Sequence, residues 1–146
     1  MIARLWRALF TPGQPPVARI DHPSLGALVF NDEREQWFAK VETPAGVIGF
    51  EIGGDHTPDE RLIAHAVDIS NQPAEFMSMV AVFLETEAKR NKRMADEIRQ
   101  LVLESVCLWW PQRPDDGMLY FAGPDKYRIW RCDYRKRKPV GLGFDS

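Results

Sequence analysis

The chain has 146 residues, of which 45% are apolar and 27% are charged, and its formal net charge is −2. This length suits one domain built around a single hydrophobic core. The composition is typical of a folded globular protein, and the charge balance excludes a strong field that would attract nucleic acid or anionic lipid. No apolar run approaches the roughly 18 residues that a membrane span requires. Cys107 and Cys132 lack the spacing of a zinc site or a disulfide framework, which favours two reduced thiols in the cytoplasm.

The first ten residues have the apolar spacing of a short amphipathic helix, with Ile2, Leu5, Trp6, Leu9 and Phe10 on one stripe. The Pro-rich stretch 11–16 then ends the helix and forms a linker. We therefore divide the chain into an N-terminal segment at 1–16 and a single domain at 17–146. We expect the stripe to pack on the protein's own body. The alternatives are a second copy of the chain, which would make a homo-oligomer, and a membrane surface.

The next part of the sequence predicts an antiparallel meander. Alternating apolar residues indicate strands at Leu25–Phe30, Trp37–Thr43 and Val47–Ile52. Pro44 and Gly46 occupy positions that favour a type I turn between the second and third strands.

A helical region follows the meander. Thr57, Pro58 and Glu60 predict a helix start, with Thr57 as the N-cap. Pro73 opens further helix, and the apolar stripe continues through Leu101 and Val102. We predict helical structure as far as Trp110, either as two helices with a break near Asn91 or as one long helix.

Three more strand-like runs close the sequence, at Met118–Ala122, Tyr127–Tyr134 and, as a short addition, Val140–Phe144. Two strand blocks around a helical middle predict the α+β class. We expect a mainly antiparallel sheet of about five or six strands with two or three helices packed on one face.

The corner after the meander offers one chemical alternative. Gly53 and Gly54 precede Asp55 and His56, and His65 lies in the following helix. If these three polar side chains converge, they could hold a metal ion or perform acid–base chemistry. Their spacing matches no zinc motif, and the simpler interpretation is a glycine turn with exposed imidazoles. The sequence has no nucleophile elbow and no phosphate-binding loop, so it predicts no catalytic residue, metal or cofactor.

Two basic clusters offer a second alternative. Lys89, Arg90, Lys92 and Arg93 lie in a polar interval of the helices, and Arg135–Lys138 follows a strand rich in aromatic residues. Basic residues beside exposed aromatic rings could bind a single-stranded nucleic acid. Because acidic residues outnumber basic residues over the whole chain, we expect a solvated hairpin turn instead.

The block His22–Phe30 followed by Trp37, together with Gly117–Phe121 and the closing Pro139–Asp145, resembles a group of small bacterial domains of unknown function. Some members of that group are classed as immunity proteins of polymorphic toxin systems. The resemblance covers about residues 20–145 and implies a cytoplasmic protein that binds another protein. It implies no catalytic residues.

We therefore predict non-catalytic protein binding. The adjacent Trp109 and Trp110 cannot both point the same way from one helix or strand, so at least one is a candidate surface anchor. Carboxylates between the first two predicted strands could add complementary charge. The predicted binding residues are Trp109, Trp110, Asp32, Glu33 and Glu35.

Overall fold

The computed structural model describes residues 18–145. The predicted N-terminal helix, its linker and its role in oligomerisation fall on residues 1–17, outside the described residues. The described chain forms eight strands and three helices. In chain order these are β1 (Arg19–His22), β2 (Gly26–Asn31), β3 (Gln36–Thr43), β4 (Gly46–Ile52), α1 (Glu60–Asn71), α2 (Pro73–Arg90), α3 (Ala95–Arg99), β5 (Val102–Leu108), β6 (Gly117–Ala122), β7 (Ile129–Arg135) and β8 (Lys138–Asp145).

All eight strands belong to one sheet, in which the spatial order follows the chain order. Each neighbouring pair is antiparallel except β4 and β5, which are parallel. Parallel neighbours need a long crossover, and the three helices supply it between two four-stranded meanders. The predicted α+β class is confirmed, whereas the sheet has more strands than the predicted five or six.

The strand count was too low because β1 and β5 were missed. β1 is a four-residue edge strand with exposed charged side chains, so it has little apolar alternation. β5 was assigned to the helical region because Leu101 and Val102 fit a helical stripe. Most of β5 is buried in the middle of the sheet, where both faces of a strand are covered and the side chains do not alternate between apolar and polar. The helical region therefore ends at Arg99 and not near Trp110.

The start of the first helix also differs from the prediction. Asp59 caps α1, since its Oδ1 accepts hydrogen bonds from the backbone N–H groups of Arg61 (2.9 Å) and Leu62 (3.3 Å). Thr57 precedes the cap, in a short bridge that pairs Gly54 with Pro58. The predicted break near Asn91 is confirmed, because Asn91 caps the end of α2. None of the helices within residues 18–145 is long and apolar enough to cross a lipid bilayer.

One face of the sheet packs with the helices and is called here the helix-covered face. The strand pairing places Ala39, Phe50, Val106 and Leu119 in one row on this face. These side chains are fully buried in one cluster with residues from all three helices. The helical members are Leu62, Ala66, Ile69, Phe76, Val80, Ala88 and Ile98.

The opposite side, called the second face, is more polar. A row of paired residues crosses it from Phe38 through Glu51 and Cys107 to Met118. Glu51 and Cys107 are fully buried on this face, and so is Ser105. Buried polar side chains are costly unless they are paired, which makes the second face relevant to function.

Candidate functional site

The strand pairing gathers several connections at one end of the sheet. Trp37, Ile52 and Leu108 are paired in one row, so the β2–β3 turn, the corner after β4 and the loop after β5 leave the sheet together. Gly117 pairs with Tyr134, which brings the tip of the β7–β8 hairpin to the same end. We call this group the loop end and define it as residues 32–35, 53–57, 109–116 and 136–137. It includes all five predicted binding residues.

The tryptophan pair lies in the loop after β5. The Trp109 and Trp110 rings are 5.8 Å apart and nearly perpendicular, and both residues are partly buried. The Arg113 guanidinium lies 4.4 Å from the centre of the Trp110 ring. The Trp109 indole N–H is buried and has no hydrogen-bond partner among residues 18–145. The pair therefore presents an aromatic and cationic surface next to solvent.

A glycine fixes the position of this loop. The Gly53 N–H donates to the Leu108 carbonyl at 2.8 Å. A Cβ atom on residue 53 would lie 2.6 Å from the Trp109 carbonyl oxygen, closer than real side chains approach. Gly53 thus allows close packing of the β4 corner against the tryptophan loop. Gly54 serves another contact, since a Cβ there would lie 2.2 Å from the Thr57 carbonyl oxygen.

The β2–β3 turn carries the predicted carboxylates, and we call residues 32–35 the acidic turn. Asp32, Glu33 and Glu35 are exposed, and none of the three forms an ion pair with another residue of the described chain. Asn31 Oδ1 accepts a hydrogen bond of 2.8 Å from the Arg34 N–H, and Glu35 adopts a left-handed φ of 54°. These features hold the turn in a tight conformation that displays its three carboxylates.

The predicted cluster of Asp55, His56 and His65 does not form. Asp55 and His56 are exposed, whereas His65 is buried and is occupied elsewhere. Its Nδ1 lies 2.6 Å from the Pro114 carbonyl oxygen and its Nε2 lies 3.3 Å from the Tyr134 hydroxyl. Because a carbonyl only accepts, Nδ1 carries the proton and Nε2 accepts from Tyr134. Across residues 18–145, no group of three or more His, Cys, Asp and Glu side chains is placed to hold a metal ion.

His65 makes stability depend on pH. Burial lowers the pKa of His65 below its ordinary value of 6.5, so the unfolded chain binds a proton that the folded chain excludes. We therefore expect stability to fall as the pH drops through about 6.5 toward the folded pKa, with a slope of at most about 1.4 kcal/mol per pH unit for one proton. Urea unfolding at pH 5.5 and 7.5 measures this dependence.

His65→Gln is the matched variant for this measurement, because glutamine keeps a donor and an acceptor but does not titrate near neutral pH. The difference between the wild-type and variant slopes isolates His65 from the carboxylates. If the free energy of unfolding changed equally with pH in wild type and in the variant between pH 5.5 and 7.5, His65 would not be the source of the pH dependence.

The basic cluster Arg135–Lys138 lies at the tip of the β7–β8 hairpin. Lys136 and Arg137 both have positive φ values, of 50° and 63°, which form a tight turn. Arg137 bonds to Asp115 at 2.7 Å and to Asp68 at 3.1 Å. Carboxylates therefore neutralise part of the cluster, which favours the solvated hairpin over the nucleic-acid alternative.

The most unusual polar group was not predicted from the sequence. Glu51 is fully buried on the second face, where its Oε1 accepts a hydrogen bond of 2.9 Å from Arg34 Nε. Its Oε2 accepts from the Cys107 thiol at 3.4 Å, and the Ser105 hydroxyl lies 3.6 Å from that thiol. Glu51 occupies the outward position of an alternating strand, for which the sequence predicts exposure to solvent. Arg34 reaches it from the acidic turn and so ties the loop end to the second face.

The chemistry of this cluster argues against a reactive nucleophile. Burial, together with the charge of Glu51, raises the pKa of the Cys107 thiol well above its ordinary value. Burial also raises the pKa of Cys132, to about 12. Both thiols therefore stay protonated at neutral pH, and thiolate chemistry is disfavoured.

Three comparisons with known proteins, namely with family models, with curated proteins and with solved structures, found no match. The resemblance to immunity proteins stays a prediction. Function is therefore argued from the geometry of the loop end and of the second face.

Proposed function

We propose that this chain is a non-catalytic protein-binding domain that uses its loop end as the binding surface. The observation that carries the proposal is the pairing of Trp37, Ile52 and Leu108 in one row of the sheet. This pairing brings the acidic turn and the tryptophan loop to one end, although they are far apart in the sequence. An immunity-like role in a bacterial cytoplasm is the form of this function that the sequence resemblance implies.

The tryptophan loop supplies the anchor. Tryptophan and arginine dominate the binding energy of protein interfaces, especially where they pack in a partly desolvated setting. The Trp110 ring packs edge-to-face against Trp109, and the Arg113 guanidinium lies over the Trp110 ring. The ring is therefore already ordered before a partner binds, which lowers the entropy cost of association.

The acidic turn supplies charge complementarity. Its three carboxylates have no ion-pair partner within residues 18–145, so their field reaches solvent. A partner with a cationic surface would be attracted before contact, which raises the association rate more than the final affinity. The proposed partner is thus a protein with a basic patch beside an apolar pocket that accepts Trp110.

Site-specific photo-crosslinking tests the proposal. A photoreactive phenylalanine analogue replaces Trp110 in one version of the full chain and Val82 in another. Val82 is 67% exposed on α2, away from the loop end, and serves as the matched control. We expect a discrete protein adduct in cells of the source organism from position 110 only, with a yield that falls as salt concentration rises.

Two results would contradict the proposal. One is the absence of any adduct from position 110, and the other is the same set of adducts from positions 110 and 82. An adduct that is removed by nuclease digestion would instead support the nucleic-acid alternative.

A further inference from the structure

The second face holds a cavity of about 350 Å³ that extends from the Arg34 side chain toward the end of the sheet opposite the loop end. It lies over β6 and β7 and is bordered by residues of the loop that connects them. Its lining includes Arg34, Glu104, Tyr120, Ala122, Lys126 and Ile129. A cavity of this size with an apolar wall and a few polar groups is typical of a small-molecule site.

Most of the charged groups around the cavity are paired with the protein itself. Arg128 forms ion pairs with Glu97 and Asp125, and the Asp145 carboxylate accepts two hydrogen bonds from Arg131. Three lining residues differ from these. Glu104 and Lys126 form no ion pair within the described part of the chain, where Lys126 Nζ lies 5.2 Å from the centre of the Tyr127 ring. The Tyr120 hydroxyl has no hydrogen-bond partner there.

Arg34 also keeps donor capacity toward the cavity. Its Nε and Nη2 both approach Glu51 Oε1 at 2.9 Å, and its Nη1 forms no hydrogen bond within residues 18–145. Arg34 lines the cavity, and its bonds to Glu51 fix the guanidinium that carries this remaining donor. Pre-positioned donors of this kind favour a carboxylate ligand.

We propose that this cavity binds a small zwitterion of the α-amino acid class, a function beyond the protein binding proposed for the loop end. The two sites adjoin each other, since Arg34 belongs to the acidic turn and the Tyr120 ring lies 6.3 Å from the Trp109 ring. The ligand carboxylate would accept hydrogen bonds from the Tyr120 hydroxyl, the Arg34 guanidinium and the Lys126 ammonium group. The Glu104 carboxylate would accept a hydrogen bond from the ligand's ammonium group. Ala122 and Ile129 form the apolar wall that would face the ligand side chain.

The state of Tyr120 agrees with the role of a donor. Burial raises the pKa of Tyr120 above its ordinary value of 10, and Cys107 and Glu51 add to the shift. The hydroxyl therefore keeps its proton at neutral pH and can donate it to a carboxylate. A ligand that lacks the carboxylate would leave this hydroxyl unpaired.

The test uses the full chain and three probes that share a benzene ring. L-Phenylalanine has both charges, 2-phenylethylamine lacks the carboxylate, and 3-phenylpropionate lacks the ammonium. We expect L-phenylalanine at millimolar concentration to shift the NMR signals of Tyr120, Ala122 and Ile129. Each single-charge analogue should bind about tenfold more weakly, because one charged hydrogen bond is lost.

Two variants assign the roles. Tyr120→Phe removes one oxygen and should weaken L-phenylalanine binding about tenfold, whereas Tyr127→Phe, at an exposed tyrosine outside the lining, should change nothing. Glu104→Gln should abolish the preference for L-phenylalanine over 3-phenylpropionate. Thermal unfolding of each variant verifies that the fold is retained.

The proposal is overturned if millimolar L-phenylalanine shifts no signal at the cavity. Equal binding of the three probes, or a Tyr120→Phe variant that binds like wild type, would overturn it as well. The crosslinking at position 110 detects a protein partner and the NMR titration detects a small ligand. A failed crosslinking experiment would therefore leave the cavity proposal standing, and a failed titration would leave the protein-binding proposal standing.

Discussion

Arg34→Met is expected to lower the free energy of unfolding by about 3 kcal/mol, because it leaves the Glu51 carboxylate buried without its cationic partner. Glu51 is fully buried, whereas the Arg34 side chain is 35% exposed. We therefore expect the low end of the range known for broken buried ion pairs. Equilibrium unfolding in urea at pH 7 measures the change.

Two controls separate the buried charge from the loss of a surface arginine. Arg19→Met breaks the exposed pair between Arg19 and Asp21 and should cost less than about 1 kcal/mol. The double variant Arg34→Met with Glu51→Met should recover most of the lost stability, since it removes both charges. An Arg34→Met variant no less stable than Arg19→Met would show that the Glu51 cluster needs no cationic partner.

Local patterns predicted the strands that are joined by short turns. The meander β2–β4 and the hairpin β6–β7 have alternating side chains and turn residues between the strands, so neighbours in sequence became neighbours in the sheet. β5 has no such local partner. It pairs in parallel with β4 across three helices, and a buried central strand cannot be told from a helix by its apolar run alone.

The candidate site was predicted in composition but not in arrangement. The tryptophan pair and the acidic turn stood out as residue types suited to binding, yet their proximity depends on the pairing of β4 with β5. The polar cluster of Glu51, Arg34, Cys107 and Ser105 could not be predicted from residue types in this way. Its burial depends on the second face of the sheet and on an arginine that reaches it from another turn, and neither leaves a pattern in the sequence.

Trp110→Ser is expected to weaken binding of the partner identified by crosslinking at least about 30-fold, which corresponds to about 2 kcal/mol. The change removes the ring that packs against Trp109 and over which the Arg113 guanidinium lies. Isothermal titration calorimetry with the purified partner gives the dissociation constant. The melting temperature of the variant shows whether the fold is retained.

The most direct test of the loop end as a binding surface is this titration, carried out on wild type, Trp110→Ser and Val82→Ser under one salt condition. Val82→Ser exchanges another exposed apolar side chain, on α2 rather than at the loop end. We expect the affinity of Val82→Ser to equal that of wild type and the affinity of Trp110→Ser to fall at least about 30-fold. Equal affinities for all three proteins, or a larger loss for Val82→Ser, would contradict the proposal.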